Sequence, residues 1–117
     1  MRHPTVQELF DLSGRTALVT GGARNLGFDM ALALAEAGAD VAITSRNLES
    51  ARESAERIAA ATGRRALALE LDVTSEEQAA AAVEEALRQF GKLDILVNNA
   101  GNVSSTPDNA PLEKRPL

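Results

Sequence analysis

Residues Thr20, Gly21, Gly22, Ala23, Arg24, Asn25, Leu26 and Gly27 have the make-up of an anion cradle. Glycine lets a chain turn tightly and bring its backbone close to a ligand. The first N–H groups of a helix lack partners within the helix and carry a partial positive charge toward such a ligand. Leu18 and Val19 run straight into the loop, and an Ala/Leu-rich segment with helical spacing follows it from Leu26 to about Ala37. A strand that empties through glycines into a helix is the arrangement that holds the diphosphate of a dinucleotide. An ordinary strand-to-helix turn also uses glycine. The diphosphate reading is preferred here because the loop follows the first strand of an alternating chain and opens a helix.

The end of the second strand bears on which dinucleotide. A carboxylate about 20 residues after the glycines binds the ribose 2′-hydroxyl of NAD. That place holds Ser45, followed by Arg46 and Asn47. A carboxylate there would repel a 2′-phosphate, whereas a serine hydroxyl beside a guanidinium binds one. Arg24, within the glycine loop, can close on the same phosphate from the other side. Each arginine alone reads equally well as a solvated surface charge; two at these positions, with the acid missing, favour NADP(H) over NAD(H). Asp72 and Val73, after the third strand, suit an adenine ring, the carboxylate accepting from its amine and the valine packing on its face. Asn98, Asn99, Ala100 and Gly101 follow the fourth strand. The asparagines can tie neighbouring strand ends together, and Gly101 lets the backbone approach a ribose. The candidate cofactor-binding set is therefore Gly21, Gly22, Arg24, Asn25, Leu26, Gly27, Ser45, Arg46, Asn47, Asp72, Val73, Asn99, Ala100 and Gly101.

These residues need a scaffold, and the chain supplies one. Residues 1–14 form a leader with Phe10 and Leu12 to pack. Thr16 to Thr20 and Asp40 to Ser45 read as short strands buried on both faces, because their apolar character is continuous. Arg65 to Leu71 alternates, with Ala66, Ala68 and Glu70 on one side and Leu67, Leu69 and Leu71 on the other. Leu93 to Val97 makes a fourth strand. Three helices lie between them. The first presents Leu26, Met30, Leu34 and Ala37 on one face. The second begins at the N-cap Asn47, runs to about Ala61, and carries Leu48, Ala51, Ala55, Ile58 and Ala59 as its stripe. The third opens on a capping box, Ser75 to Gln78, and carries Ala79, Val83, Ala86, Leu87 and Phe90. Strict alternation with short links predicts an α/β fold, a Rossmann-type doubly wound parallel sheet of about four strands in the order 3-2-1-4. Residues 15–104 form this half-domain, and 105–117 a polar, proline-rich tail.

Composition narrows the function classes. The chain has 117 residues, a formal charge of −5, no cysteine and a single histidine, His3. Disulfides and thiolate metal sites are excluded, no metal site is expected, and the acidic balance disfavours nucleic acid and anionic membranes. No apolar run of secretory or membrane-spanning type is present, so a cytoplasmic location is expected. A flavodoxin-like receiver shares the alternation, but the loop after the first strand carries glycines and no acidic cluster.

Taken together, the motifs resemble the short-chain dehydrogenase/reductase family over nearly all of residues 8–104. That family carries a Thr-Gly-x-x-x-Gly-x-Gly loop, matched by Thr20, Gly21 and Gly27; an Asp after the third strand, matched by Asp72; and Asn-Asn-Ala-Gly after the fourth, matched by residues 98–101. The overall pattern is similar to bacterial 3-oxoacyl-carrier-protein reductases and gluconate 5-dehydrogenases. The resemblance implies hydride transfer between NADP(H) and a carbonyl or alcohol substrate, and a homo-oligomer when the protein is complete.

Two departures qualify it. Asn25 stands where the family has its middle glycine; asparagine is the side chain best able to take over a positive φ, so cofactor binding is expected to survive. The family's catalytic Ser and Tyr-x-x-x-Lys lie in its second half, whereas this chain has no tyrosine and only Lys92 and Lys114 as lysines. No catalytic residue is therefore assigned; Ser104 and Ser105 follow the fourth strand rather than the fifth. The expectation is the N-terminal half of a reductase, inactive and marginally stable or self-associating on its own. The alternative is a non-catalytic dinucleotide-binding or interaction module.

Overall fold

The computed structural model describes residues 10–21, 23, 25–72 and 76–99. Gly22, Arg24, Val73, Ser75, Ala100 and Gly101 lie outside the described residues, as do positions 1–9 of the leader and the tail. The elements are β1 (Thr16–Thr20), α1 (Asn25–Glu36), β2 (Asp40–Ser45), α2 (Leu48–Thr62), β3 (Ala66–Glu70), α3 (Glu76–Phe90) and β4 (Ile95–Asn98). The strands pair in parallel in the order β3-β2-β1-β4, as the alternation predicts. No helix among the described residues is long and apolar enough to cross a membrane.

β1 is buried along its whole length, and β2 everywhere except its two ends. Ala17, Val19, Val41 and Ile43 point to one face, where they pack with Ala31 and Ala35 of α1 and Ala55 and Ile58 of α2. Leu18 and Ala42 point to the other, against Ala86 of α3. Two-sided burial is why these strands read as unbroken apolar runs. β3 divides as its alternation predicts: Ala66 and Ala68 join the first cluster, Leu67 and Leu69 the second.

The predicted face of α1 needs correction. The residues turned to the sheet are Gly27, Ala31 and Ala35, spaced four apart, whereas Leu26 is 63% exposed. Met30, Leu34 and Ala37 flank an apolar groove shared with Phe10, Leu12 and Val97, and of these three Leu34 also packs on the core. Small residues let the helix lie close to the strands, which pushes the bulky ones to its flank. In α3 the same logic buries Ala82 and Ala86 and leaves Leu87 42% exposed.

The helix ends follow local chemistry. Asn47 caps α2, its side chain accepting from Ser50 N at 3.3 Å, and Gly63 closes the helix at φ 71°. Gln78 reaches back from the first turn of α3 to accept from Asp72 N at 2.7 Å. β4 begins two residues later than its apolar run suggests. Asp94 uses its side chain as well as its backbone: its N–H donates to Thr16 O at 3.0 Å, and its Oδ2 accepts from Thr16 N at 2.8 Å. A carboxylate thus stands where the next ladder carbonyl would be, and Leu93 turns into the α3-side cluster.

Candidate functional site

Four parallel strands put their carboxyl ends on one rim, and the registers Thr20 with Asn98 and Ser45 with Glu70 keep those ends level. The candidate residues of β1, β2, β3 and β4 therefore share that rim. Leu71 N, donating to Ser45 O at 3.0 Å, carries the β2–β3 pairing out to the edge.

Thr20 joins two of the strand ends. Its hydroxyl accepts from Asn99 N at 2.9 Å and lies 3.1 Å from Asn98 Oδ1, to which it donates. Asn99 Nδ2 in turn donates to Gly21 O at 3.4 Å. On the other side, Gly21 N donates to the hydroxyl of Thr44, a fully buried residue of β2, at 3.1 Å. Gly21, at φ 69°, is thus the turn in which β1, β2 and β4 are bound together, with its N–H directed into the sheet.

Gly27 packs directly behind this turn. A β-carbon there would overlap the carbonyl of Gly21 and come within 2.7 Å of Asn99 Nδ2. Only a residue without a side chain lets α1 start so close to the rim. Asn25 opens the helix at φ 56°, the one positive φ outside glycine among the described residues, which is the conformation its replacement of glycine requires. The first turn of α1 has no acidic side chain, while the first turns of α2 and α3 carry Glu49 and Glu76 with Glu77. The loop is steadied from α2 as well: the buried Ser54 hydroxyl donates to Ala23 O at 2.6 Å.

At the end of β2, Ser45 Oγ accepts from Asn47 N at 3.1 Å. Arg46 is exposed and makes no ion pair with a described residue. Asp72 is half-buried at the end of β3. The structure thus brings Gly21, Asn25, Gly27 and Asn99 into one constellation, and sets Ser45, Arg46, Asn47 and Asp72 further along the rim. Two participants, Thr44 and Ser54, are missing from the sequence reading. Their signal was a hydroxyl in a buried position, Thr44 ending an apolar run and Ser54 three residues after Ala51 on the inner stripe of α2.

Asp94, at the opposite end of the sheet, is held below the usual aspartate range by the Thr16 amide first, and then by Lys92 and Arg15. Among the described residues, the rim carries hydroxyls, amides and glycine together with the exposed Arg46 and the half-buried Asp72.

The sequence profile of the short chain dehydrogenase family matches residues 15–115. Gluconate 5-dehydrogenase of Gluconobacter oxydans is 41% identical over 97% of this chain and 41% of its own length. L-Sorbose reductase from Gluconobacter frateurii, solved with NADPH and L-sorbose, superposes with a TM-score of 0.78 at 35% identity, over 90% of this chain and 40% of that one. A 7α-hydroxysteroid dehydrogenase solved with NADH superposes at 0.73 with 36% identity, over 77% of this chain and 35% of that one. The chain spans between 30% and 41% of the length of the curated relatives it matches.

Proposed function

The chain belongs to the short chain dehydrogenase family, and from that premise we propose that it forms the NADP(H)-holding half of an oxidoreductase acting on a carbonyl/alcohol pair. When bound, the nicotinamide supplies the hydride chemistry; this chain's residues bind and orient the dinucleotide. The observation that carries the reading is the close fit at Gly27, where a β-carbon would strike Gly21 O and Asn99. That fit brings the head of α1, where Asn25 and Leu26 are exposed, up to the rim, and the N-terminal end of a helix favours the charge of a diphosphate. In this reading Gly21 shapes the cradle rather than donating to the anion, its N–H being directed at Thr44. Asn25, Leu26 and Gly22 line the cradle, Asp72 and Val73 receive the adenine, and Asn99, Ala100 and Gly101 border the nicotinamide ribose.

NADP(H) is preferred because Ser45 and Arg46 occupy the place of the ribose-binding acid, with Arg46 exposed at the rim. Arg24, outside the described residues, is proposed as the second cation. Two structural neighbours were solved one with NADPH and one with NADH, so the preference belongs to the residues of this chain and not to its fold. Titration of NADPH and NADH side by side tests it. NADPH is expected to bind roughly tenfold or more tightly, with Arg46→Ala removing most of that margin and leaving NADH within about twofold. Equal affinity for the two cofactors, or binding of neither, would overturn the assignment.

A second reading is favoured by one observation: the sequence contains no tyrosine, the residue the family resemblance implies as acid/base. On that reading the chain as it stands binds a dinucleotide without turning over. NADPH oxidation with any carbonyl, abolished by Arg46→Ala, would contradict it.

A further inference from the structure

We propose that Ser54 is a positioning residue for the cofactor, aiming the glycine loop from α2. The inference rests on the dinucleotide reading above. Ser54 is 4% exposed, and its hydroxyl donates to Ala23 O at 2.6 Å across 31 residues of sequence. Its neighbours on the inner stripe of α2, Ala51, Ala55 and Ile58, are apolar. Ala23 sits between Gly21, which the strands hold, and Asn25, where α1 begins. Without Ser54 the segment between those two points has no side-chain tie to α2 among the described residues.

The hydroxyl holds the Ala23 carbonyl against α2 and so fixes where Ala23 sits between the clasped Gly21 and the start of α1. It does so from the helix that Asn47 caps, directly after Ser45 and Arg46. α2 thus positions the diphosphate side of the cofactor through Ser54, while Arg46, in the link just before that helix, meets the 2′-phosphate side. Removing the hydroxyl leaves the Ala23 carbonyl without its partner, and a half-buried carbonyl re-aims toward water to regain one.

The test uses the chain as it is, with two probes. NADPH engages both sides, and adenosine 2′-monophosphate carries the 2′-phosphate but no diphosphate. Ser54→Ala is expected to weaken NADPH binding about tenfold, leave adenosine 2′-monophosphate within about twofold, and leave the ligand-free unfolding midpoint close to that of the parent. Unchanged NADPH affinity, or equal loss of both probes, overturns the role. Should Ser54→Ala lose its fold, Ser54→Cys fills the same space with a much weaker donor, and the same two affinities decide. A parent chain that binds neither probe removes the dinucleotide reading and this inference together. A parent that binds NADPH beside a variant that binds it equally removes only the role of Ser54.

Discussion

One missing methyl group sets how closely α1 approaches the rim. Gly27 faces Gly21 O and Asn99 Nδ2 at distances no β-carbon tolerates, and the nearest atoms are backbone or part of the strand clasp, so they yield only by opening it. Gly27→Ala is expected to lower stability by about 1–3 kcal/mol, the usual penalty of overpacking, and to weaken NADPH binding roughly tenfold. Denaturant titration and fluorescence titration check the two effects, and a variant with parental values in both would show the close contact to be unimportant. Asn25 makes a complementary case. At φ 56° an alanine pays the left-handed penalty of about 1–2 kcal/mol, whereas glycine does not. Asn25→Ala is therefore expected to be destabilised by about that amount, and Asn25→Gly to remain within roughly 0.5 kcal/mol. An Asn25→Gly chain that gripped NADPH far more tightly than the parent would show instead that the amide obstructs the cradle. Asn25 was legible in the sequence because backbone sterics are a local rule. Thr44 and Ser54 were not, because their partners, Gly21 and Ala23, lie 23 and 31 residues away.

At the scale of elements, the strands and helices were readable from patterns that burial imposes: unbroken apolar runs for β1 and β2, alternation for β3, an N-cap and a glycine stop for α2. The face of α1 was not. Apolar weight points to Leu26, Met30 and Leu34, but the sheet selects the stripe that permits the closest approach, Gly27, Ala31 and Ala35. The start of β4 was also missed, since Asp94 works there as a strand-joining acceptor, clasped by Thr16 with Lys92 and Arg15 beside it. That clasp has a pH signature. The folded carboxyl is held below its ordinary value, so its stabilisation is complete above the unfolded aspartate value of about 3.9 and disappears as pH falls through the lower folded value. Asp94→Asn is expected to be less stable at neutral pH and to lose stability less steeply than the parent below about pH 4. Asp11 and Glu85 are shifted in the same direction, by Ser13 and by Arg88 with Gln89 respectively, so the acid slope diminishes without vanishing. Superimposable urea midpoints for parent and variant across that range would show that the charge contributes nothing to the clasp.

Over the whole molecule, the two faces of the sheet are covered unequally. α1 and α2 close one face of β1, β2 and β3, and α3 lies over β3, β1 and β2 on the other. β4, an outer strand of the described sheet, is left with Leu96 59% exposed on the α3 side, opposite Leu18 in register. On the α1 side it borders an apolar groove of about 370 Å³ lined by Phe10, Met30, Leu34 and Val97. Exposed apolar surface beside an outer strand of the described sheet favours association. The chain on its own is therefore expected to self-associate as its concentration rises, with a midpoint of unfolding that depends on concentration. A lysine at position 96 places a charge on that surface, the means by which outer strands are kept from pairing. Leu96→Lys is expected to weaken association by about tenfold, roughly 1.4 kcal/mol, while leaving NADPH affinity unchanged because Leu96 lies below the rim. Sedimentation velocity over a concentration series, read beside a cofactor titration, separates the two quantities. A parent chain that stays monomeric throughout would show the uncovered face to be tolerated by water, and a Leu96→Lys chain that associates as the parent does would locate the contact elsewhere.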